Sequence, residues 1–344
     1  MPQMMMSWFY LAPERLEQRR VPVPEPATGE LLVRVRAALT CGTDVKTYRR
    51  GHPKFPPPFA FGHEFGGDVV ASGAAVEGFP PGTRVTANVF AECGECFYCR
   101  RGQGNLCENL EYNFGAFSDY MIIPASIVRR NTFVIPAHVS YAEAAIVEPL
   151  VTVVHGQQLL GIQPGESVAI IGAGGPVSLL HMQLARSAGA GSVIAVGHSA
   201  ARLAVAQSLG AEHVIDAATR DAVEAVRSLT DGRGADVVIE CAGSKQAWET
   251  SMQAVRRGGR VLWFSGLPAG TVVAVDAARV HYGQIALLNS HGGTAEDARR
   301  AFELICTGGI DVRSLISDVM PLDELESALR RTIAGEVVKI ALEP

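Results

Sequence analysis

Apolar and polar positions change rhythm once along the chain, near Tyr141. Before it, Leu31 to Ala38 alternates with the two-residue period of a half-buried strand, and Phe61 to Val76 continues in β-like pieces rich in glycine and valine. The clusters Pro53 to Pro58 and Pro80-Pro81-Gly82 punctuate this part as turns, so it predicts a β-rich domain. After it, strands and helices take turns. Ala142 to Leu160 is alanine-rich and helical apart from Pro149, Glu166 to Ile171 is extended, Val177 to Ala188 helical, Ser192 to Val196 extended, Ala200 to Leu209 helical and His213 to Ile215 extended. Ala222 to Leu229 and Ala247 to Val255 read as further helices, and Asp236 to Ile239, Arg260 to Phe264 and Gln284 to Asn289 as further strands. Such a train predicts a parallel sheet covered by helices on both faces through right-handed crossovers. The tail, Ala295 to Pro344, adds two helical stretches and a closing strand, Val337 to Leu342.

Length and composition sharpen this picture. At 344 residues the chain is too long for one ordinary domain and suits two domains with a cleft. An apolar fraction of 48% with 36 glycines fits an α/β protein with a large core, and a net charge of -5 gives no electrostatic case for nucleic acid. Met1 to Leu11 is apolar but carries no basic leader or small-residue cleavage site, and no segment has the roughly 18 to 20 apolar residues of a membrane span. The expectation is a cytoplasmic protein with reduced thiols and no membrane partner.

The cysteines carry the first chemistry. Cys93, Cys96, Cys99 and Cys107 fall within fifteen residues, and four reduced thiols so spaced match the tetrahedral shell of a structural zinc better than a disulfide plan. Cys241 and Cys306 stand alone in apolar stretches and read as core thiols. Cys41 is left for a different job. It lies in Thr40-Cys41-Gly42-Thr43-Asp44, and Gly62-His63-Glu64 follows twenty-two residues later. A thiolate, an imidazole and a carboxylate form a three-ligand set with an open position for a substrate oxygen on zinc.

A nucleotide site is the second expectation. Gly172-Ala173-Gly174-Gly175-Pro176 closes a strand and opens a helix, the setting in which a glycine turn brings backbone N–H groups and a helix N-terminus against a pyrophosphate. Val177 replaces the third glycine of the fingerprint. Sites for the unphosphorylated ribose usually place a carboxylate at the end of the second strand, whereas this chain has Gly197, His198, Ser199 and, further on, Arg202. Nothing there repels a 2′-phosphate, so NADP(H) is favoured over NAD(H). Ala242, after one predicted strand, and Ser265, Gly266 and Leu267, after another, are placed on loops facing the cofactor.

Taken in order, Cys41-Gly42-Thr43-Asp44, Gly62-His63-Glu64, the cysteine quartet, Glu148-Pro149 and Gly172-Ala173-Gly174 resemble the zinc-dependent medium-chain alcohol dehydrogenases, from about Leu31 to the C-terminus. Glu64 and the Glu148-Pro149 pair are more similar to the polyol and threonine dehydrogenase branch. The resemblance implies a β-rich GroES-like catalytic domain over residues 1–152, a Rossmann dinucleotide domain over 153–289 and a return to the catalytic domain over 290–344. It implies two zinc ions per chain, the catalytic one held by Cys41 and His63 with Glu64 and Glu148 as acidic partners that alternate with water. His63 and Glu64 are neighbours, so both face one ion only if the backbone bends there.

The implied reaction is hydride transfer between a secondary alcohol (polyol, diol, sugar or amino alcohol) and a nicotinamide. Thr43 is placed by the resemblance to pass on the carbinol proton. Lys46 stands where the threonine dehydrogenase branch commonly has histidine, and three roles stay open: Lys46 binds a polar substrate, His52 supplies the base, or Lys46 is merely solvated. Tyr48, Phe61, Tyr112, Phe114 and Phe117 are candidates for the cleft mouth or for plain packing. A homo-oligomer, tetramer or dimer, is the family expectation. Two other readings compete: a zinc-free double-bond reductase of the same superfamily, and a zinc-loop binding module without catalysis.

Overall fold

The structure, a computed structural model, describes residues 3–52 and 54–344; Met1, Pro2 and Pro53 of the proline cluster lie outside the described residues. It divides into two compact units, one formed by Met1–Val151 with Gly293–Pro344 and the other by Thr152–Gly292.

The first unit is built on a seven-stranded sheet whose centre is Leu31–Leu39. This strand is buried at seven of nine positions because it pairs on both edges. Phe65–Ser72 and Tyr120–Ile123 flank it, and Lys339–Glu343, from the far end of the chain, pairs antiparallel with its last residues through Ala341 opposite Leu39. A three-stranded sheet joins Met4–Ala12, Arg15–Pro22 and Phe59–Ala60. The hairpin at its start escapes the alternation rule because Met4–Ala12 is apolar on both faces. The core gathers Tyr10, Leu31, Val33, Phe61, Phe65, Phe117, Ile123 and Leu342.

The second unit is a six-stranded parallel sheet in the order His213–Asp216, Ser192–Gly197, Ser167–Ile171, Ala235–Glu240, Val255–Trp263, Ala286–Asn289. Starting at Ser167–Ile171, the chain lays strands to one side, then crosses over and fills the other, which puts a topological switch point beside that first strand. Residues 168–171 and 193–196 are continuous apolar runs, as strands covered on both faces require. The structure adds a helix the sequence pattern did not single out, Ala277–Gly283. Cys306 is only half-buried, correcting its expectation as a core thiol, whereas burial pushes the Cys241 thiol well above its usual range.

Candidate functional site

Cys41 is the N-cap of the helix Gly42–Arg50. Its Sγ accepts from Thr43 N at 3.5 Å, and Asp44, at the third helical position, reaches back to accept from Cys41 N at 3.0 Å. This reciprocal cap fixes the thiol at the helix start.

His63 comes from the stretch Phe61 to Glu64, which is not strand, so the bend that lets His63 and Glu64 share one side is present. Gly62 makes it possible. Its φ is +89°, and a Cβ there would stand 2.6 Å from the Phe117 ring. The carbonyl of Gly62 accepts from Gly115 N and Ala116 N, locking the turn. Glu148 lies in the first turn of the helix Val147–Leu160.

These elements bring donor atoms of Cys41, His63, Glu64 and Glu148 within 4.8 Å of one another. His63 Nδ1 lies 3.1 Å from Asp44 Oδ1, and His63 Nε2 lies 3.8 Å from Glu148 Oε2. A carboxylate on Nδ1 fixes the tautomer that presents Nε2 to an ion, so Asp44 belongs to the site although sequence reading gave it no role. The second residue missed is Lys339, whose Nζ lies 2.5 Å from Glu64 Oε2 and donates to Thr40 O at 3.0 Å. Its only sequence signal is a lysine inside an apolar closing strand.

The electrostatics suit a cation. Burial works against the Lys339 ammonium, but Glu64 and Cys41 raise its pKa, so it stays charged and balances one carboxylate. The other acidic donors are held against burial: it pushes Glu148 up to about 7 and, with the Glu64 charge, raises the Cys41 thiol. Glu64 Oε1 is buried with no hydrogen-bond partner among the described residues. A divalent ion would supply the charge this donor set lacks, and thiolate, imidazole and carboxylate are zinc's ligand types.

Beside the set, aromatic rings form a wall. Phe114 meets His63 edge-on at 6.1 Å between centroids and Phe55 at 4.4 Å, and Phe55 continues to Tyr112 at 4.9 Å and to His52 at 4.6 Å. Lys54 Nζ donates to the Tyr112 hydroxyl at 3.0 Å. Phe61 and Phe117 are core instead, and Tyr48 packs against that core. Thr43 and Lys46 are exposed on one face of the helix Gly42–Arg50.

The other cysteines cluster separately. Cys93, Cys96, Cys99 and Cys107 converge, with sulfur separations of 3.4 Å for Cys96–Cys99 and 3.9 Å for both Cys93–Cys99 and Cys96–Cys107. Sulfurs sharing a tetrahedral zinc, with bonds of about 2.3 Å, stand about 3.8 Å apart. Backbone N–H groups of Cys99 and Glu108 hold the Cys96 thiol down to about 6, whereas burial pushes Cys99 up to about 12 and raises Cys107.

In the second unit, Gly172 and Gly174 take φ of +86° and +95°, and Gly175 caps the helix Pro176–Ser187 with Pro176 at its first position. A Cβ at Gly172 would stand 2.6 Å from Ala242 N, and one at Gly174 2.4 Å from Arg202 Cβ, so both positions require glycine. Val177 is half-buried on that helix. At the carboxyl ends of the strands, a cavity of about 330 Å³ is lined by Gly172, Gly197, His198, Ala217, Arg220 and Ala242 among others. Ser199 and Arg202 do not line it. Ser199 caps the helix Ala200–Ser208, its Oγ accepting from Arg202 N, and Arg202 lies against the glycine turn. Ser265, Gly266 and Leu267 follow the strand Val255–Trp263, with Ser265 O accepting from Trp248 Nε1, and they do not line this cavity.

Comparison with known proteins agrees with this chemistry. Residues 27–132 match the family model described as an alcohol dehydrogenase GroES-like domain, and residues 176–307 the one described as a zinc-binding dehydrogenase. Sorbitol dehydrogenase of Bacillus subtilis (strain 168) is 31% identical, the match covering 100% of this chain and 98% of that protein. L-threonine 3-dehydrogenase of the same organism is 33% identical, covering 94% of each. Among solved structures, a zinc-binding dehydrogenase from Sinorhizobium meliloti 1021 bound to NADP superposes with a TM-score of 0.91 at 35% identity, covering 100% of both chains. The chain belongs to the zinc-dependent medium-chain alcohol dehydrogenase family.

Proposed function

We propose that the protein oxidises a secondary alcohol, or reduces the matching ketone, with zinc at Cys41, His63, Glu64 and Glu148 and NADP(H) on the Gly172-Ala173-Gly174 turn. The observation that carries this reading is the convergence of those four donors within 4.8 Å, with Asp44 on the far nitrogen of His63. When bound, zinc polarises the substrate hydroxyl and the nicotinamide takes up the hydride. Cys41 and His63 are the fixed ligands, each held by Asp44. Glu64 is tied to Lys339, which leaves Glu148 the freer carboxylate to exchange with water. Thr43 offers a hydroxyl with no partner among the described residues and is the group that takes the carbinol proton, with Lys46 one turn on. A second zinc on the cysteine quartet is structural. Gly197 at the end of its strand, in place of a carboxylate, supports NADP(H) over NAD(H).

Relatives that act on sorbitol and threonine support a polyol or amino-alcohol substrate. A zinc-free double-bond reductase has no use for the buried donor set, and a zinc-loop binder has none for a dinucleotide turn. Polyols, diols, sugars and amino alcohols, screened with both cofactors by absorbance of the reduced nicotinamide, test the proposal. Oxidation of at least one class, with a lower Michaelis constant for NADP+ than for NAD+, is expected. No turnover of any alcohol would refute the reading, and a tenfold preference for NAD+ would refute its cofactor.

A further inference from the structure

We propose that Arg220 is the residue that selects the phosphorylated cofactor, its guanidinium pairing with the 2′-phosphate of the adenosine; this rests on the reading of the second unit as an NADP(H) site. The strands Ser192–Gly197 and His213–Asp216 end side by side, with Gly197 opposite Asp216, and the chain after each strand forms one wall of the cavity below the glycine turn. Arg220 comes from the loop after the second of these strands and His198 from the loop after the first.

Several polar groups nearby have other placements. Ser199 Oγ caps its helix, and Arg202 stands against Gly174, where a 5′-pyrophosphate belongs. Asp216 accepts from Ala218 N and Asp221 from Glu224 N, each at 2.8 to 2.9 Å. Neither carboxylate pairs with Arg220, whose guanidinium makes no hydrogen bond or ion pair among the described residues. An exposed, unpaired guanidinium at the rim of a nucleoside-sized cavity that carries no carboxylate at Gly197 presents the planar fork a phosphate dianion accepts bidentately. A lysine would keep the charge and lose the fork.

Binding of two probes to the zinc-loaded full chain by calorimetry tests this without turnover. Adenosine 2′,5′-bisphosphate and 5′-AMP differ only in the 2′-phosphate. The wild type is expected to bind the bisphosphate at least tenfold more tightly than 5′-AMP. Arg220→Ala should weaken the bisphosphate tenfold or more and 5′-AMP less than twofold, and Arg220→Lys should restore part of the loss. Arg202→Ala should weaken both probes alike. If Arg220→Ala leaves the bisphosphate unchanged, or weakens both probes equally, or if Arg202→Ala alone abolishes the preference, Arg220 is not the selector. A wild type that binds both probes equally overturns the NADP(H) reading itself, and this inference with it.

Discussion

Lys339 Nζ lies 2.5 Å from Glu64 Oε2 with both side chains wholly buried, although 275 residues separate them in the chain. The pairing of the closing strand Lys339–Glu343 with Leu31–Leu39 places the ammonium there, and Thr40 completes its hydrogen bonding. Breaking one partner of a buried pair leaves an uncompensated charge, which costs about 3–5 kcal/mol. Lys339→Met is expected to lower stability by that order in denaturant unfolding of the zinc-loaded protein. Adding Glu64→Gln should recover much of it. A single variant within about 1 kcal/mol of wild type would show that the pair does not matter in this way.

Asp44 serves two groups at once, accepting from Cys41 N and facing His63 Nδ1. Removing such a supporting carboxylate typically weakens metal binding about 10–100-fold. Asp44→Ala should therefore lose zinc from the Cys41 site to a competing chelator at correspondingly lower chelator concentration, while the cysteine quartet keeps its ion. Unchanged chelator competition would remove Asp44 from the site.

The cysteine quartet was legible because its ligands are contiguous and their spacing is a recognisable pattern in itself. The Gly172-Ala173-Gly174 turn was legible for the same reason, since a strand before and a helix after identify it locally. Lys339 was not, because strand pairing brings it to Glu64 from the other end of the chain and no local pattern records that pairing. Ser199 follows the second strand at the nucleotide end of the sheet, but a serine before a helix is also a cap, and its oxygen accepts from Arg202 N. Arg220 escaped notice because only the adjacency of two strand ends brings it to the cavity.

Serine at Cys99 should cost stability rather than chemistry. Structural zinc contributes folding free energy directly, and three thiolates hold it less well than four. Cys99→Ser is expected to lower the melting temperature by several degrees, and a chelator titration should show the Cys41 site still loaded. An unchanged melting temperature would mean that the lobe stabilises nothing.

Alanine at Gly174 meets two obstacles, a φ of +95° and Arg202 Cβ at 2.4 Å from the added Cβ. Strain of this kind costs of order 1–3 kcal/mol and would move the N–H groups of the turn proposed to face a pyrophosphate. Gly174→Ala should weaken NADP+ binding by calorimetry at least tenfold. Retained affinity would place the nucleotide elsewhere.

If Cys41 and the cysteine quartet hold two ions with separate work, metal content measured beside turnover will show both. Wild type should carry two zinc ions per chain. Cys41→Ser should carry one, retain its cofactor binding and lose turnover at least a thousandfold, because the polarising ion supplies several kcal/mol of the rate. A Cys41→Ser protein that still binds two zinc ions, or that turns over near the wild-type rate, would contradict the account.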